Sequence, residues 1–203
     1  MTEQKGFDAS TLAYYADVAP TYKASGEGGL NRFLPEFMRL LPTGAAVLDL
    51  GCGGGRDSEA LLANGYEVTS WDASERIALE AQKRLGRAVF VKRFDELEVE
   101  REFDAVWASA SLLHVPLTDL PNVLERVHTA LRPRGLHFAS YKSGGIEGRD
   151  AVGRYFNFIS RKQLEQAYSQ SANWQIHEIH EYVGGGYDHG QSGPWIAVIA
   201  SKL

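Results

Sequence analysis

Apolar and polar positions along this chain follow two rhythms. Short apolar-rich runs recur at 45–50, 66–71, 88–91, 103–108, 136–141, 174–182 and 194–201. Between most of them lie longer segments whose apolar residues return every three or four positions. Those segments are 31–41 with Phe33, Leu34, Phe37, Met38 and Leu41, then 58–63, 74–85 with Ile77, Leu79 and Ala81, 119–131, and 160–169. The first rhythm predicts strands buried in a sheet and the second predicts amphipathic helices.

Punctuation supports the division. Asn31, Ser74 and Ser160 stand where helix N-caps belong, and Gly44, Gly86 and Arg132-Pro-Arg-Gly135 stand where helices stop. Asn64-Gly65 predicts a turn. Upstream, Ser10 to Lys23 is expected to be helical as far as Pro20, residues 1–9 to form a frayed tail, and Gly26-Glu-Gly-Gly29 to be flexible.

Strands alternating with helices need crossover connections and hence a parallel sheet covered on both faces. The last two strands have no helix between them, so they are expected to pair antiparallel. The predicted fold is therefore α/β: one Rossmann-like, doubly wound, mostly parallel seven-stranded sheet with helices on both faces and an antiparallel last strand. Residues 1–203 are expected to form one domain, with a helical cap over 10–42 and a core over 45–203.

Composition narrows the function. The chain has 203 residues, 44% of them hydrophobic and 23% charged, enough to bury a sizeable core. A net charge of -5 without a Lys/Arg run argues against a nucleic-acid partner. The one cysteine, Cys52, precludes an intramolecular disulfide and fits a reducing compartment. No apolar stretch reaches the roughly 18 residues of a membrane span, and Met-Thr-Glu-Gln-Lys-Gly lacks the apolar core of a secretory signal. A cytoplasmic protein is expected; oligomeric state stays open.

The candidate chemistry gathers at Val47-Leu-Asp-Leu-Gly-Cys-Gly-Gly-Gly-Arg-Asp-Ser58. Glycines placed where a strand hands over to a helix permit positive φ and close backbone approach to a ligand, and the helix start offers free N–H groups. A nucleotide-like cofactor is implied. A dinucleotide fold needs Gly-x-Gly-x-x-Gly; counted from Gly51 the third glycine is Arg56, and counted from Gly53 it is Ser58. Both registers fail, and no Lys completes a P-loop. What remains is Asp49-x-Gly51-x-Gly53-x-Gly55. Asp72 lies 21 positions beyond Gly51 at a strand end, where a carboxylate can accept both ribose hydroxyl protons. Capping of the next helix is the competing role for it.

Asp49-Leu-Gly-Cys-Gly-Gly-Gly55 resembles the first motif of the class I S-adenosylmethionine-dependent methyltransferases. The resemblance extends along the chain through Asp72, Phe94-Asp95, Phe103-Asp-Ala-Val106 and Leu131-Arg-Pro-Arg-Gly135. That last stretch is similar to the family's Leu-(Lys/Arg)-Pro-Gly-Gly turn, with Arg134 expected to be a harmless departure. Tyr15-x-x-x-Ala19-x-x-Tyr22 is similar to an N-terminal element of its small-molecule members, and Asn64 to Asp72 is similar to tellurite-resistance-type members, whose substrate is not carried over.

The resemblance implies S-adenosylmethionine as cofactor and in-line methyl transfer to a small-molecule acceptor, with no metal. It implies cofactor contacts from Tyr15, Tyr22, Gly51, Cys52, Gly53, Asp72, Ala73, Phe94, Asp95, Ala108 and His114. Gly51 and Gly53 would admit the methionine portion, with a simple tight turn as the alternative. Asp95 would meet the adenine amine, with Phe94 and Leu97 near the ring, or belong to a solvated acidic connector. Tyr15 and Tyr22 would close as a lid or pack the N-terminal helix. Asp49 would position loop amides or offset the cofactor's charge. Arg56 would reach the cofactor carboxylate or make a surface salt bridge. His114, at the carboxyl edge of the fourth strand, is the candidate catalytic base. Tyr141-Lys142, Arg154-Tyr-Phe-Asn157 and Tyr187-Asp-His189 are further candidates for facing the acceptor. The alternative is a non-catalytic S-adenosylmethionine-binding regulatory protein.

Overall fold

The chain builds its sheet from short runs that carry apolar residues at the positions facing the helices, with parallel strands joined by crossover helices. A computed structural model describes residues 6–22, 30–185 and 192–203. The Gly26–Gly29 segment and the Tyr187–His189 loop lie outside the described residues, as does most of the N-terminal tail. The strands are β1 (Ala46–Leu50), β2 (Glu67–Asp72), β3 (Phe90–Val91), β4 (Phe103–Ala108), β5 (Leu131–Lys142), β6 (Gly148–Arg149), β7 (Tyr155–Phe156), β8 (Trp174–Gly185) and β9 (Ser192–Lys202). The helices are α1 (Ala9–Tyr22), α2 (Leu34–Arg39), α3 (Arg56–Ala63), α4 (Glu75–Leu85), α5 (Leu120–Ala130) and α6 (Arg161–Ser171).

Seven strands form one sheet in the order β3-β2-β1-β4-β5-β9-β8. Pairing is parallel from β3 to β5, and β9 runs antiparallel to both β5 and β8. Val47, Ala105, Trp107, Phe138, Ala197 and Ile199 bury one face against Phe33, Leu34 and Phe37 from α2 and its approach and against Leu61 of α3. Leu48, Leu50, Val106, Ala139 and Tyr141 bury the other face against α5 and α6. The alternation of neighbours such as Leu48 and Val47 to opposite faces is the period-two pleat. The chain order reverses between β1 and β4. In such sheets ligands bind outside the carboxyl ends of the strands at that reversal.

Several boundaries differ from those predicted. α1 runs past Pro20 to Tyr22. Proline has no N–H for the carbonyl of Ala16, and that carbonyl instead accepts from Arg76 Nη1 of α4 at 3.4 Å. α2 starts at Leu34 rather than at Asn31, whose Oδ1 accepts from the Phe33 amide in a preceding turn. The third strand keeps only Phe90–Val91. Ser74 and Ser160 do cap α4 and α6, accepting from the amides of Ile77 and Gln163.

β5 begins directly after α5 and bulges at 132–135, so that Phe103 pairs with Leu131 but Ala105 with Leu136. Arg134 takes φ of 63° in this bulge. The departure from glycine there is not harmless, because a side chain in the left-handed region carries a cost of about 1 kcal/mol or more. The β6–β7 hairpin was not expected from the sequence. It fills the connection between β5 and α6, and Arg149 ties it to α1 through Asp8, with Nη2 at 2.6 Å from Oδ2.

Candidate cofactor and acceptor cleft

β1 ends at Leu50 and the chain turns through Gly51, Gly53 and Gly55 at φ of 83°, 54° and 77°, the last opening α3. These values belong to the region open to glycine. A Cβ on Gly51 would stand 2.4 Å from Cβ of Ser111, and one on Gly53 would stand 3.1 Å from the Tyr22 hydroxyl. The space that side chains would take is therefore occupied by the loop after β4 and by the end of α1. Ser111 locks its side of that contact by donating from Oγ to the Leu50 carbonyl at 2.6 Å.

Asp72, at the end of β2, holds the glycine loop in place. Its Oδ2 accepts from the Gly53 amide and its Oδ1 from the Ser74 amide, both at 2.9 Å. Burial pushes its carboxyl up to about 6, against the pull of those two amides. Asp49 is buried beneath the loop and accepts from Ser58 Oγ at 2.6 Å, which fastens β1 to α3. Burial, reinforced by the charges of Asp57 and Asp72, raises its carboxyl to about 8. Burial and the neighbouring carboxylates Asp49 and Asp72 likewise push the Cys52 thiol up, so it stays protonated and unreactive.

These elements enclose a cleft of about 670 Å³ at the carboxyl ends of the strands, a size suited to a cofactor and a small ligand. Tyr15, Tyr22, Gly51, Cys52, Gly53, Asp72, Ala73, Phe94 and His114 all line it, so most of the predicted residues converge. Arg56 lines it as well. Two do not reach the wall. Ala108 is fully buried, and the cleft is lined there by Ser109, Ala110 and Ser111. Asp95 turns to Arg93, which meets Oδ1 through Nε at 2.9 Å and Oδ2 through Nη2 at 3.3 Å. Leu97, expected near the adenine, is buried in the core.

His114 closes the opposite side. Its Nδ1 lies 2.6 Å from the Tyr155 carbonyl and its Nε2 lies 3.0 Å from the Tyr15 hydroxyl. A carbonyl only accepts, so Nδ1 carries the proton and Nε2 receives the hydrogen bond of Tyr15. Burial first, then the charges of Arg154 and Lys142, lower the imidazole to about 4, so the ring is neutral at pH 7. Tyr15 also packs edge-on against Tyr22, with ring centroids 5.7 Å apart. The aromatic wall thus runs from the glycine loop to His114.

Sequence reasoning pointed to Tyr141-Lys142 as a pair. The two residues alternate, with Tyr141 wholly in the core and Lys142 on the cleft. It missed Asn31, Arg32, Tyr182 and Trp195, which also line the cleft. No local pattern marks them; β8 and β9 reach this edge only through the strand order.

A methyltransferase domain family model matches residues 47–135. A ubiquinone biosynthesis O-methyltransferase of Xanthomonas axonopodis pv. citri is 37% identical over 163 residues, covering 70% of this chain and 67% of that protein. The chain belongs to the class I S-adenosylmethionine-dependent methyltransferases. An uncharacterised methyltransferase of Synechocystis is 34% identical over 113 residues, covering 54% of this chain and 53% of its own length. The chain thus spans from about half to two thirds of these two relatives. Among solved structures, the 1,6-didemethyltoxoflavin-N1-methyltransferase of Burkholderia thailandensis superposes with a TM-score of 0.75 at 21% identity, covering 96% of this chain and 88% of its own. TehB from Haemophilus influenzae does so with 0.71 at 18% identity, covering 92% and 66%. Both show the shared fold.

The cleft of this family member fits the family's cofactor. The floor is backbone that no side chain could occupy without displacing Ser111 or Tyr22. A half-buried carboxylate, Asp72, stands at the end of β2 and an aromatic ring, Phe94, follows β3. Among the described residues no helix is long and apolar enough to cross a membrane.

Proposed function

We propose that the chain transfers the methyl group of S-adenosylmethionine to a small-molecule acceptor by in-line displacement, as one unit whose N-terminal residues 10–42 cap the cleft. The observation that carries the catalytic half is the neutral His114, whose Nε2 lone pair borders the cleft and holds the Tyr15 hydroxyl at 3.0 Å.

In this reading Asp72 takes the ribose hydroxyls, Phe94 lies along the adenine, and the Gly51–Gly53 backbone passes beneath the methionine portion. Ala73 and the Tyr15–Tyr22 wall complete the enclosure. Arg93 holds Asp95 at the adenine end, so Asp95 would meet the adenine amine only as part of that ion pair. When bound, the cofactor supplies a methyl group made electrophilic by its positive sulfur. The chain's own work is to align the acceptor atom, exclude water and receive a proton. An entering hydroxyl or amine displaces Tyr15 from Nε2 and passes its proton there as its lone pair forms the new bond. Nδ1–H, held by the Tyr155 carbonyl, keeps the ring in the tautomer that can accept.

A metabolite-sized acceptor is supported by the lid over the cleft and by the O-methyltransferase name of the Xanthomonas relative. A net charge of -5 speaks against a nucleic acid. The test is incubation with methyl-labelled cofactor and a panel of phenols, catechols, amines and thiols. Label in a small-molecule product supports the reading. Tight cofactor binding with no transfer to any class of nucleophile would instead favour a cofactor-binding regulator.

A further inference from the structure

Beside His114 the cleft wall carries two cations, Arg154 and Lys142, both packed on the Phe156 ring. Arg154 belongs to the turn between β6 and β7 and is only 3% exposed, although it lines the cleft. Its Nε and Nη2 meet Asp150 Oδ2 at 2.8 and 2.7 Å, and its backbone amide donates to Asp150 Oδ1 at 2.9 Å. The guanidinium carbon lies 4.9 Å from the Tyr14 ring centroid and 5.1 Å from that of Phe156. A guanidinium cannot shed its charge when buried, and burying it is expensive unless the geometry is held. Here two aromatic faces and a two-point carboxylate contact hold it. This is a fixed cation rather than a loose surface arginine.

Lys142, at the end of β5, places Nζ 4.3 Å from the same Phe156 centroid. The His114 ring lies 4.7 Å from that centroid on the same residue. Phe156 therefore touches two cations and the proton acceptor at once. Phe156 is itself only 2% exposed and serves as the platform that holds these three groups. We propose that the acceptor is an aromatic carboxylate, its ring beside Tyr15 on the cleft wall, its carboxylate toward Arg154 and Lys142, and its nucleophilic hydroxyl toward His114. The proposal rests on the methyl-transfer reading and adds the class of substrate.

Two physical arguments favour an anion. A carboxylate accepts charge-assisted hydrogen bonds from both a guanidinium and an ammonium, and here both cations lie against one ring, Phe156. The charges of Arg154 and Lys142 also hold His114 down, more than Asp150 lifts it. A neutral acceptor would leave that positive field acting against proton transfer to Nε2. An anionic acceptor cancels it where the proton must go.

The test uses the whole protein saturated with S-adenosylhomocysteine. Calorimetry compares 3- and 4-hydroxybenzoate with 3- and 4-hydroxybenzamide, neutral and nearly isosteric. At least one acid should bind about tenfold more tightly than its amide, the ratio that one charge-assisted contact supplies. Arg154→Met should bring that ratio close to one, Lys142→Gln should lower it, and Arg154→Lys should retain part of it. S-adenosylhomocysteine affinity, measured in each variant, reports that the fold persists; Lys142→Gln decides the matter if Arg154→Met does not fold. Equal binding of acid and amide, or an undiminished preference in the variants, overturns the proposal. Failure of the wild-type protein to bind S-adenosylhomocysteine counts against the methyl-transfer reading instead.

Discussion

The Tyr15 hydroxyl donates to Nε2 of His114 across 99 residues of sequence, at 3.0 Å. Helix α1 and the loop after β4 therefore meet at Nε2, the ring nitrogen on which the proposal places proton transfer. His114→Gln is expected to lower turnover of a hydroxyl or amine acceptor by roughly 10²–10⁴-fold, the usual contribution of general base catalysis. Because the ring titrates near 4, His114 should stay in its accepting form as pH falls from 7 to about 5. Loss of kcat/KM in that range should follow protonation of Asp72, near 6, with a further decline below about 5 as His114 protonates. Stopped-assay kinetics across this range check both, and unchanged turnover in the variant contradicts the assignment.

Asp49 makes a second pH dependence. Its carboxyl sits near 8 in the fold and near 3.9 in an unfolded chain. The unfolded chain loses this proton first, so the stability tied to protonated Asp49 is fully present below about pH 4 and is lost as pH rises toward 8. Asp49→Asn should flatten that decline, and its melting temperature relative to wild type should rise steadily from pH 5 to pH 8. A difference independent of pH would contradict it.

Gly51 is constrained twice, by its φ of 83° and by Ser111 at 2.4 Å from the missing Cβ. Gly51→Ala should destabilise by about 1–3 kcal/mol from backbone strain alone, with the clash added. Adding Ser111→Gly should recover the clash but not the strain. Urea unfolding of the single and double variants separates the two, and a fully recovered double variant would contradict the division.

Arg134 offers the opposite test. At φ of 63° glycine removes a strain of about 1–2 kcal/mol and adds back a smaller entropy cost. Arg134→Gly should therefore raise the urea midpoint, and a lowered midpoint would contradict the strain.

Much of this was legible in the chain. The glycine spacing, Asp72, the Ser74 and Ser160 caps and the alternation of strands and helices are local features, and each stands where its local chemistry placed it. The remainder depends on what comes near. Pro20 does not end α1 because Arg76, 56 residues on, takes the orphaned Ala16 carbonyl. Asp95 faces Arg93 because the short turn at Phe94–Glu96 folds them together. The β6–β7 hairpin has strands of two residues, too short for any periodicity. It nevertheless supplies Arg154 and the Tyr155 carbonyl that sets the His114 tautomer.

In the proposed complex Asp72 and the glycine loop hold S-adenosylmethionine. Calorimetric titration of S-adenosylmethionine into the wild-type protein and into Asp72→Ala tests it most directly. Wild type is expected to bind saturably, one to one, and the variant to lose roughly 1–3 kcal/mol, as for hydrogen bonds to a charged group. No binding by wild type, or equal affinity in the two proteins, would contradict it.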